Sequence, residues 1–166
     1  MTIGEDFMNN SLLRYQLFEV GQENIVSDMV WEVFSEFEAP YYSAEGVNTF
    51  KEFIHPQRLV SQIISNDFKI YCCFEGNDLV GVLAFRNTSH ISLLFVKKSH
   101  QRIGIAKELL RIATMELLKI DPDLQELTVN SSPYAVIIYE KLGFNATNTM
   151  QEKHGLKYKP MKKCLR

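Results

Sequence analysis

Apolar residues recur along the chain at spacings that predict both helices and strands. Residues 14–20 alternate apolar and polar side chains, which predicts a first strand, and apolar positions at helical spacing predict a helix over 24–37. After an interruption, residues 47–54 predict a second helix that ends at Pro56, and residues 59–64 predict a third short one. One strand followed by two or three helices is therefore expected.

Three runs rich in β-forming residues follow, and turn-forming residues separate them. They cover residues 69–75, 79–86 and 89–96, which predicts an antiparallel meander of three strands. The spacing of apolar residues then predicts a helix over 104–119, and residues 125–130 predict a strand after it.

The C-terminal part of the chain predicts one more helix and two more strands. Pro133 suits a first helical position with Ser132 before it as the cap, so a helix is expected over 134–142. Strands are expected near 145–150 and 156–163. This order of elements predicts a mixed α/β domain in which helices pack on a central sheet.

Composition narrows the class of protein. The chain has 166 residues, of which 46% are hydrophobic, and this predicts a single domain over 1–166 with a flexible tail at 1–12. A net charge of −2 argues against nucleic acid or an anionic membrane as the partner. No apolar run reaches about 18 residues and the first residues are polar and acidic, so we expect a cytoplasmic protein. The three cysteines lack metal-ligand spacing, so no metal is expected.

The stretch SHQRIGIA, residues 99–106, connects a predicted strand to a predicted helix. N–H groups at a helix start are unpaired and carry partial positive charge, which favours phosphate, and Gly104 lets the backbone approach such a ligand. Glu108 is the one acidic residue among the nearby basic side chains. These basic residues are Lys97, Lys98, Arg102, Lys107 and Arg111. The pattern predicts a local phosphate site, and the competing interpretation is a solvated basic loop that contains a glycine.

Two common phosphate-binding signatures are missing from the sequence. There is no G-x-x-x-x-G-K-[ST], which would indicate a nucleoside triphosphatase, and no G-x-G-x-x-G, which would indicate a dinucleotide site. The expected phosphate ligand is therefore something other than ATP or NAD.

Two motifs in the right order resemble those of one enzyme family. An L-x-V pattern at 94–96, followed by QRIGIA at 101–106, resembles the Q/R-x-x-G-x-G/A acyl-CoA signature of the GCN5-related N-acetyltransferase (GNAT) superfamily. The run AVIIYEKLGF at 135–144 resembles the second GNAT signature. The resemblance covers residues 14 to about 163 and implies a GNAT-like fold, with a mostly antiparallel sheet of about six to seven strands and helices on both faces.

The resemblance implies acetyl-CoA as the co-substrate, held between strands 89–96 and 125–130. Backbone amides of residues 102–107 would hold the pyrophosphate, and the end of the first of these strands would pair with the pantetheine arm. Ser132 stands where many members have asparagine, and Asn130 is a substitute for that polar contact. The predicted CoA-binding residues are Leu94, Phe95, Val96, Gln101, Arg102, Ile103, Gly104, Ile105, Ala106, Lys107, Asn130 and Ser132.

Two residues are candidates for proton transfer. Tyr139 matches the family position that donates a proton to the CoA sulfur, although it is also placed to be a core tyrosine. His90 lies four residues before Leu94 and on the same strand face, where it could deprotonate an amine through water. The serotonin N-acetyltransferase branch looks similar there, with Ser92 here in place of its nearer histidine. The competing interpretation of His90 is a surface residue at a strand start.

The resemblance places the loop after the first helix beside the acetyl group. This loop combines acidic and aromatic side chains, which attract cationic amines, although a solvated helix end would show the same pattern. Its members are Glu36, Glu38, Tyr41, Tyr42 and Glu45, of which Glu36, Tyr41 and Tyr42 are the predicted substrate-binding residues.

The predicted function is acetyl-CoA-dependent transfer of an acetyl group directly to the primary amine of a small cationic molecule. One alternative is a domain that binds acyl-CoA as a sensor or interaction module without catalysis. Another is a transferase that uses a longer acyl group. Because GNAT-like domains often pair, a homodimer is also an expectation.

Overall fold

A computed structural model describes residues 12–65 and 68–166, which form helices on both faces of a sheet. The strands are β1 Leu13–Leu17, β2 Phe68–Glu75, β3 Asp78–Arg86, β4 His90–Val96, β5 Glu126–Ser131, β6 Asn145–Ala146, β7 Gln151–Lys153 and β8 Leu156–Cys164. The helices are α1 Glu23–Phe37, α2 Ala44–Phe53, α3 Pro56–Ile64, α4 Ile105–Ile120 and α5 Val136–Lys141. Short 3-10 turns occupy Ala39–Tyr41 and Lys98–His100.

The sheet is mostly antiparallel, and its one parallel pair of strands opens into a gap. The strand order is β1-β2-β3-β4-β5-β8-β6, with β7 paired to β8 alone, so the predicted meander is confirmed. Parallel pairing of β4 with β5 joins only His90 to Thr128 and Ile91 to Val129. From Ser92 onward, the edge of β4 that faces β5 has no strand partner in the described chain. The two strands therefore separate along most of β4.

A β-bulge lies at the point where β4 leaves β5. Across the β3–β4 ladder, Ala84 pairs with Leu93 and Phe85 pairs with Ile91, which leaves Ser92 as the extra residue. A bulge bends its strand and redirects the local side chains. The bend therefore coincides with the opening between the strands.

The core forms two clusters, one on each face of the sheet. Alternating residues of β2 point to opposite faces, as Cys72 and Cys73 show, because the side-chain period of a strand is two. One cluster packs α1, α2 and α3 on the sheet around Phe34, and the other packs α4 and α5 around Phe144. Among the described residues, no helix is long and apolar enough to cross a membrane.

Several predicted boundaries need correction. The strand expected near 145–150 is two short strands, β6 and β7, because β8 is long enough to pair with one at each of its ends while polar residues bend the chain between them. The first strand ends at Leu17 rather than at residue 20, since a turn with Gly21 at φ 106° precedes α1. Of the predicted tail at 1–12, all but Leu12 lies outside the described residues.

The cap of α5 also differs from the prediction. The helix begins at Val136, and its first flanking residue is Ala135 rather than Ser132. Ser132 instead closes a turn before the helix, where its Oγ accepts a hydrogen bond of 3.2 Å from the N–H of Ala135. The serine hydroxyl therefore fixes the chain between β5 and α5.

Candidate active site

A cavity of about 500 Å³ lies where β4 and β5 separate. Its walls come from the end of α1, from α2, β4, β5 and α5, and from the β7–β8 hairpin. A concave site with apolar walls and a few polar groups is typical of small-molecule binding. Of the predicted site residues, those that line it are Tyr42, His90, Leu94, Phe95, Asn130, Ser132 and Tyr139.

The remaining predicted CoA-binding residues lie at the C-terminal end of β4 and beyond it. Residues 97–107, called the glycine loop below, comprise the connection from β4 and the first residues of α4, and they do not line the cavity. Gln101 ties this loop to the strand, because its Nε2 donates to the carbonyl oxygen of Val96 at 3.0 Å. The members outside the cavity are Val96, Gln101, Arg102, Ile103, Gly104, Ile105, Ala106 and Lys107.

Left-handed backbone shapes the glycine loop. Gly104 is the N-cap of α4 with φ 92°, and Arg102 has φ 65°. A Cβ at Gly104 would meet no atom within 4 Å, so glycine is needed for its backbone angle, and the space beside it is open. No side chain caps α4, which leaves the N–H groups of its first turn without a side-chain partner. This geometry fits an anion such as a diphosphate.

Only part of the positive charge near the glycine loop is free. Lys98 pairs with Glu36 at 2.5 Å, and Arg111 pairs with Glu108 at 2.6 Å. Arg102 and Lys107 make no salt bridge with any described residue. Fewer basic side chains are therefore free to neutralise a phosphate than the sequence pattern indicates.

Tyr139 lines the cavity from α5 and is 6% exposed. Its ring packs edge-on against Phe144, with 5.3 Å between the ring centroids. Burial raises the pKa of the Tyr139 hydroxyl above its ordinary value, and the nearby Glu38 carboxylate raises it further. The hydroxyl is therefore protonated at neutral pH and holds a proton for transfer, although its raised pKa makes it a weaker acid than a free tyrosine.

Glu38 is the acidic group of the cavity. It follows α1 directly, and Ser132 Oγ donates a hydrogen bond of 2.9 Å to its Oε1. Burial raises the pKa of the Glu38 carboxyl to about 7, although the hydrogen bond from Ser132 opposes the change. A carboxyl that titrates near neutral pH is suited to proton transfer. The sequence placed Glu38 in the loop after the first helix, but Glu38 was not one of the predicted substrate-binding residues.

His90 is less suited to accept a proton than the sequence suggests. Its Nδ1 lies 2.8 Å from Thr128 Oγ1 across the parallel strand pair. Burial lowers the pKa of the imidazole to about 4, and the positive charge of Arg86 contributes to that decrease. The ring is therefore neutral at pH 7 and only weakly basic, so its predicted role as the base receives no support.

Ser92 presents an unsatisfied hydroxyl at the bulge of β4. Its Oγ is buried and has no hydrogen-bond partner in the described parts of the chain, and the residue lines the cavity. Leaving a buried hydroxyl unpaired costs about 1–3 kcal/mol. Such a group is explained when a bound ligand supplies the partner.

Two predicted substrate-binding residues lie away from the cavity. Glu36 is exposed and paired with Lys98, and Tyr41 is 49% exposed. Neither lines the cavity, whereas Tyr42 does and stacks on Phe34 with 5.7 Å between the ring centroids. The α1–α2 connection therefore contributes Glu38 and Tyr42 to the site.

The β7–β8 hairpin is fixed against α2. A Cβ at Gly46 would overlap the carbonyl of Gly155, so the two backbones meet at a distance that only glycine permits. Thr49 Oγ1 also donates to the carbonyl of His154 at 3.0 Å. This contact holds the hairpin as one wall of the cavity.

Among the described residues, no group of three or more potential metal ligands occurs.

Comparisons with known proteins agree with this geometry. The family model described as the acetyltransferase (GNAT) domain matches residues 38–165. A search of curated protein sequences found no match.

Similar solved structures share the fold over nearly the whole chain. A GCN5-related N-acetyltransferase from Rhodopseudomonas palustris has a TM-score of 0.75 at 17% identity, covering 92% of this chain and 95% of its own. The PaiA N-acetyltransferase of Thermoplasma acidophilum, solved with coenzyme A, has a TM-score of 0.76 at 18% identity, and the match covers 92% of this chain and 98% of its own. A spermidine N-acetyltransferase from Vibrio cholerae, solved with CoA and spermine, has a TM-score of 0.62 at 20% identity, and the match covers 93% of this chain and 96% of its own. At these identities the likeness shows the fold.

Proposed function

Because the chain belongs to the GNAT acetyltransferases, we propose that it transfers an acetyl group from acetyl-CoA directly to a primary amine. The observation that carries this proposal is the cavity beside the unpaired edge of β4, in which the Glu38 carboxylate is close enough to Tyr139 to raise the pKa of its hydroxyl. The Tyr139 hydroxyl can donate a proton, and the Glu38 carboxylate can accept one. An amine acceptor is also what the related spermidine N-acetyltransferase structure contains.

The donor end of the site fits acetyl-CoA. The open space at Gly104 and the uncapped start of α4 suit the pyrophosphate, with Arg102 and Lys107 as nearby free cations. The free edge of β4 beyond Ile91 offers backbone groups to the amide-containing pantetheine arm. Ser132 already bonds Glu38, so Asn130 is the better placed polar side chain for that arm.

Glu38 removes the proton from the acceptor amine. The amine must be neutral to attack the acyl carbon, and at pH 7 a carboxyl of pKa about 7 is ionised in about half of the molecules. The hydrogen bond from Ser132 fixes one carboxylate oxygen and leaves the other for the amine.

Tyr139 supplies the proton that the departing sulfur needs. Glu38 first takes one proton from the ammonium form of the acceptor. As the carbon–nitrogen bond forms and the carbon–sulfur bond breaks, Tyr139 passes its proton to the thiolate, and the nitrogen releases its second proton to solvent. Each side chain then returns to its starting state by proton exchange with solvent. The net products are the acetylated amine and free CoA.

Two measurements test the proposal. Acetyl-CoA binding is measured by isothermal titration calorimetry, and turnover with a panel of primary amines is measured from the free thiol of CoA. Binding with amine-dependent thiol release supports the proposal. Binding of acetyl-CoA without turnover favours the sensor alternative. The absence of both binding and turnover would overturn the transferase proposal and the sensor alternative together. Competition among acetyl-, propionyl- and succinyl-CoA separates the acetyl donor from longer ones.

A further inference from the structure

Positive charge dominates the charged lining of the cavity. Three cationic residues line it, Arg86, Lys153 and Lys157, and all three are exposed. Glu38 is the one carboxylate that lines the cavity within the described chain. With three positive charges against at most one negative, the lining is cationic whichever state Glu38 occupies.

The position of these cations separates them from the phosphates of CoA. Arg86 pairs with His90 at the start of β4, whereas the glycine loop follows Val96 at its end. Six residue steps at about 3.3 Å each put roughly 20 Å between the two ends of the strand. Lys153 and Lys157 lie on the β7–β8 hairpin and do not belong to the glycine loop either.

These cations are also left without protein counter-charges. Arg86, Lys153 and Lys157 make no salt bridge within 4 Å to any described residue, whereas Lys98 and Lys162 elsewhere do. Glu152 lies opposite Lys157 in the β7–β8 register, but it neither lines the cavity nor pairs with that lysine. A charged cluster without internal partners is available to a ligand of the opposite sign.

We infer that the acceptor is a primary amine that also carries an anionic group, a carboxylate or a phosphate, bound by Arg86, Lys153 and Lys157. The inference rests on the proposed function and names the acceptor class for that same site. The guanidinium of Arg86 offers parallel N–H groups that match either anion. In this arrangement the amine enters toward Glu38 while its anionic group stays at the mouth.

This acceptor class differs from the cationic molecule expected from the sequence. That expectation used the negative charges of Glu36, Glu38 and Glu45 with nearby aromatic residues. Glu38 lines the cavity, but Glu36 pairs with Lys98 outside it and Glu45 does not line it. A polyamine would carry its second charge to the three cations, where like charges repel. The cavity therefore favours an acceptor whose far end is negative.

Three acceptors of equal chain length test the inference directly. They are 5-aminopentanoate, 5-amino-1-pentanol and 1,5-diaminopentane, which place a negative, a neutral and a positive group at the same distance from the reacting amine. We expect kcat/KM to fall in that order, by about tenfold across the series, and the differences to shrink at high salt. The highest kcat/KM for the diamine, or equal values for all three, would overturn the inference.

Charge-reversal variants show whether the named residues cause the preference. Lys153→Glu and Lys157→Glu should each lower kcat/KM for 5-aminopentanoate about tenfold relative to the neutral acceptor, with acetyl-CoA affinity retained. Lys141→Glu is the matched control, because this lysine is exposed on α5 and does not line the cavity. An equal loss in the control would remove the two lysines from acceptor binding.

A binding experiment separates this inference from the proposed function. Calorimetric titration of the three acceptors into the protein saturated with CoA requires no turnover. Tighter binding of the carboxylate than of the diamine supports the inference even if none of the amines is acetylated, a result that would count against the proposed function alone. Tighter binding of the diamine contradicts the inference even if acetylation is observed.

Discussion

The glycine loop and the cavity beside β4 offer different kinds of groups to a ligand. The glycine loop offers backbone groups from one continuous stretch, with left-handed residues at Arg102 and Gly104 and open space beside them. The cavity beside β4 is instead built from side chains of distant segments, and the bond from Ser132 to Glu38 joins residues 94 positions apart. The loop presents mainly backbone N–H groups, whereas the cavity depends on particular side chains. Donor binding and acceptor choice are therefore separable in this fold.

This separation can be tested by substitutions that act on one end only. Changes in the glycine loop should alter the affinity for acetyl-CoA, and changes at Glu38 or Tyr139 in the cavity should alter turnover while leaving that affinity intact. A variant that changes both quantities together would contradict the division.

The largest effect is expected for Gly104→Glu. The substitution puts a side chain on a residue at φ 92° and a negative charge in front of the uncapped helix start, so acetyl-CoA affinity should fall about 100-fold or more. Calorimetric titration measures it. Gly21→Glu is the matched control, because Gly21 has φ 106° with no atom near a built Cβ and precedes α1 instead. Retained affinity in Gly104→Glu would exclude the loop as the phosphate site.

Tyr139→Phe should separate chemistry from binding. The ring can still pack on Phe144, so the fold and the acetyl-CoA affinity should be kept. Loss of the proton donor should lower kcat about 100-fold or more, measured by steady-state thiol release. A kcat equal to that of the unsubstituted protein would leave Tyr139 as a core residue.

Glu38→Gln should remove the pH dependence that the carboxyl confers on the rate. The rate of the unsubstituted protein should rise through pH about 7 as Glu38 loses its proton, and the variant should lose that rise together with about 10–100-fold in kcat. His90→Ala is the comparison, because its imidazole, with a pKa of about 4, is already neutral there. A rise near pH 7 that disappears in His90→Ala and persists in Glu38→Gln would reverse the assignment.

The same variant should also change stability with a defined sign. The folded state binds the Glu38 proton more tightly than the unfolded state, whose carboxyl has its usual pKa of 4.5, so this group lowers the free energy of unfolding as pH rises from about 4.5 to 7. Glu38→Gln should therefore be more stable relative to the unsubstituted protein at pH 8 than at pH 5. Thermal unfolding at the two pH values measures the difference.

The smallest effect is expected for Ser92→Ala. Because the hydroxyl has no partner in the described protein, its removal should leave stability unchanged or raise it by about 1 kcal/mol, while kcat/KM falls about tenfold. Ser131→Ala is the control for stability, since its buried hydroxyl donates to the carbonyl of Ser132 at 2.8 Å. Activity unaffected by Ser92→Ala would show that no ligand uses the hydroxyl.

Local patterns carried enough information to predict most elements and the glycine loop. Runs of β-forming residues separated by turn residues within 69–96 specify the meander, because each strand pairs with its neighbour in the chain. QRIGIA is contiguous, so its backbone geometry depends little on the rest of the protein. The local sequence could not predict that two strands, β6 and β7, replace the strand expected near 145–150. Their positions depend on pairing with different parts of β8.

The acidic residues at the end of α1 show why the acceptor end was predicted less well. Glu36 and Glu38 are two positions apart, and a helical step of that size turns the side chain through about 200°. One reaches Lys98 on the surface and the other reaches Ser132 in the cavity. Both residues are glutamates at the end of the same helix, so the sequence pattern gives them the same role. The contact of Glu38 with Ser132, 94 residues away, is what places one of them in the cavity.

The meeting of Gly46 with Gly155 has a consequence for redesign by recombination. Because neither backbone accepts a Cβ at this junction, α2 and the β7–β8 hairpin constrain each other's positions. A hairpin grafted from a relative with a larger residue there would displace α2 and, with it, the segment that carries Tyr42. Exchange of acceptor preference between such enzymes should therefore succeed when both segments, roughly 38–53 and 151–158, are transplanted as one cassette.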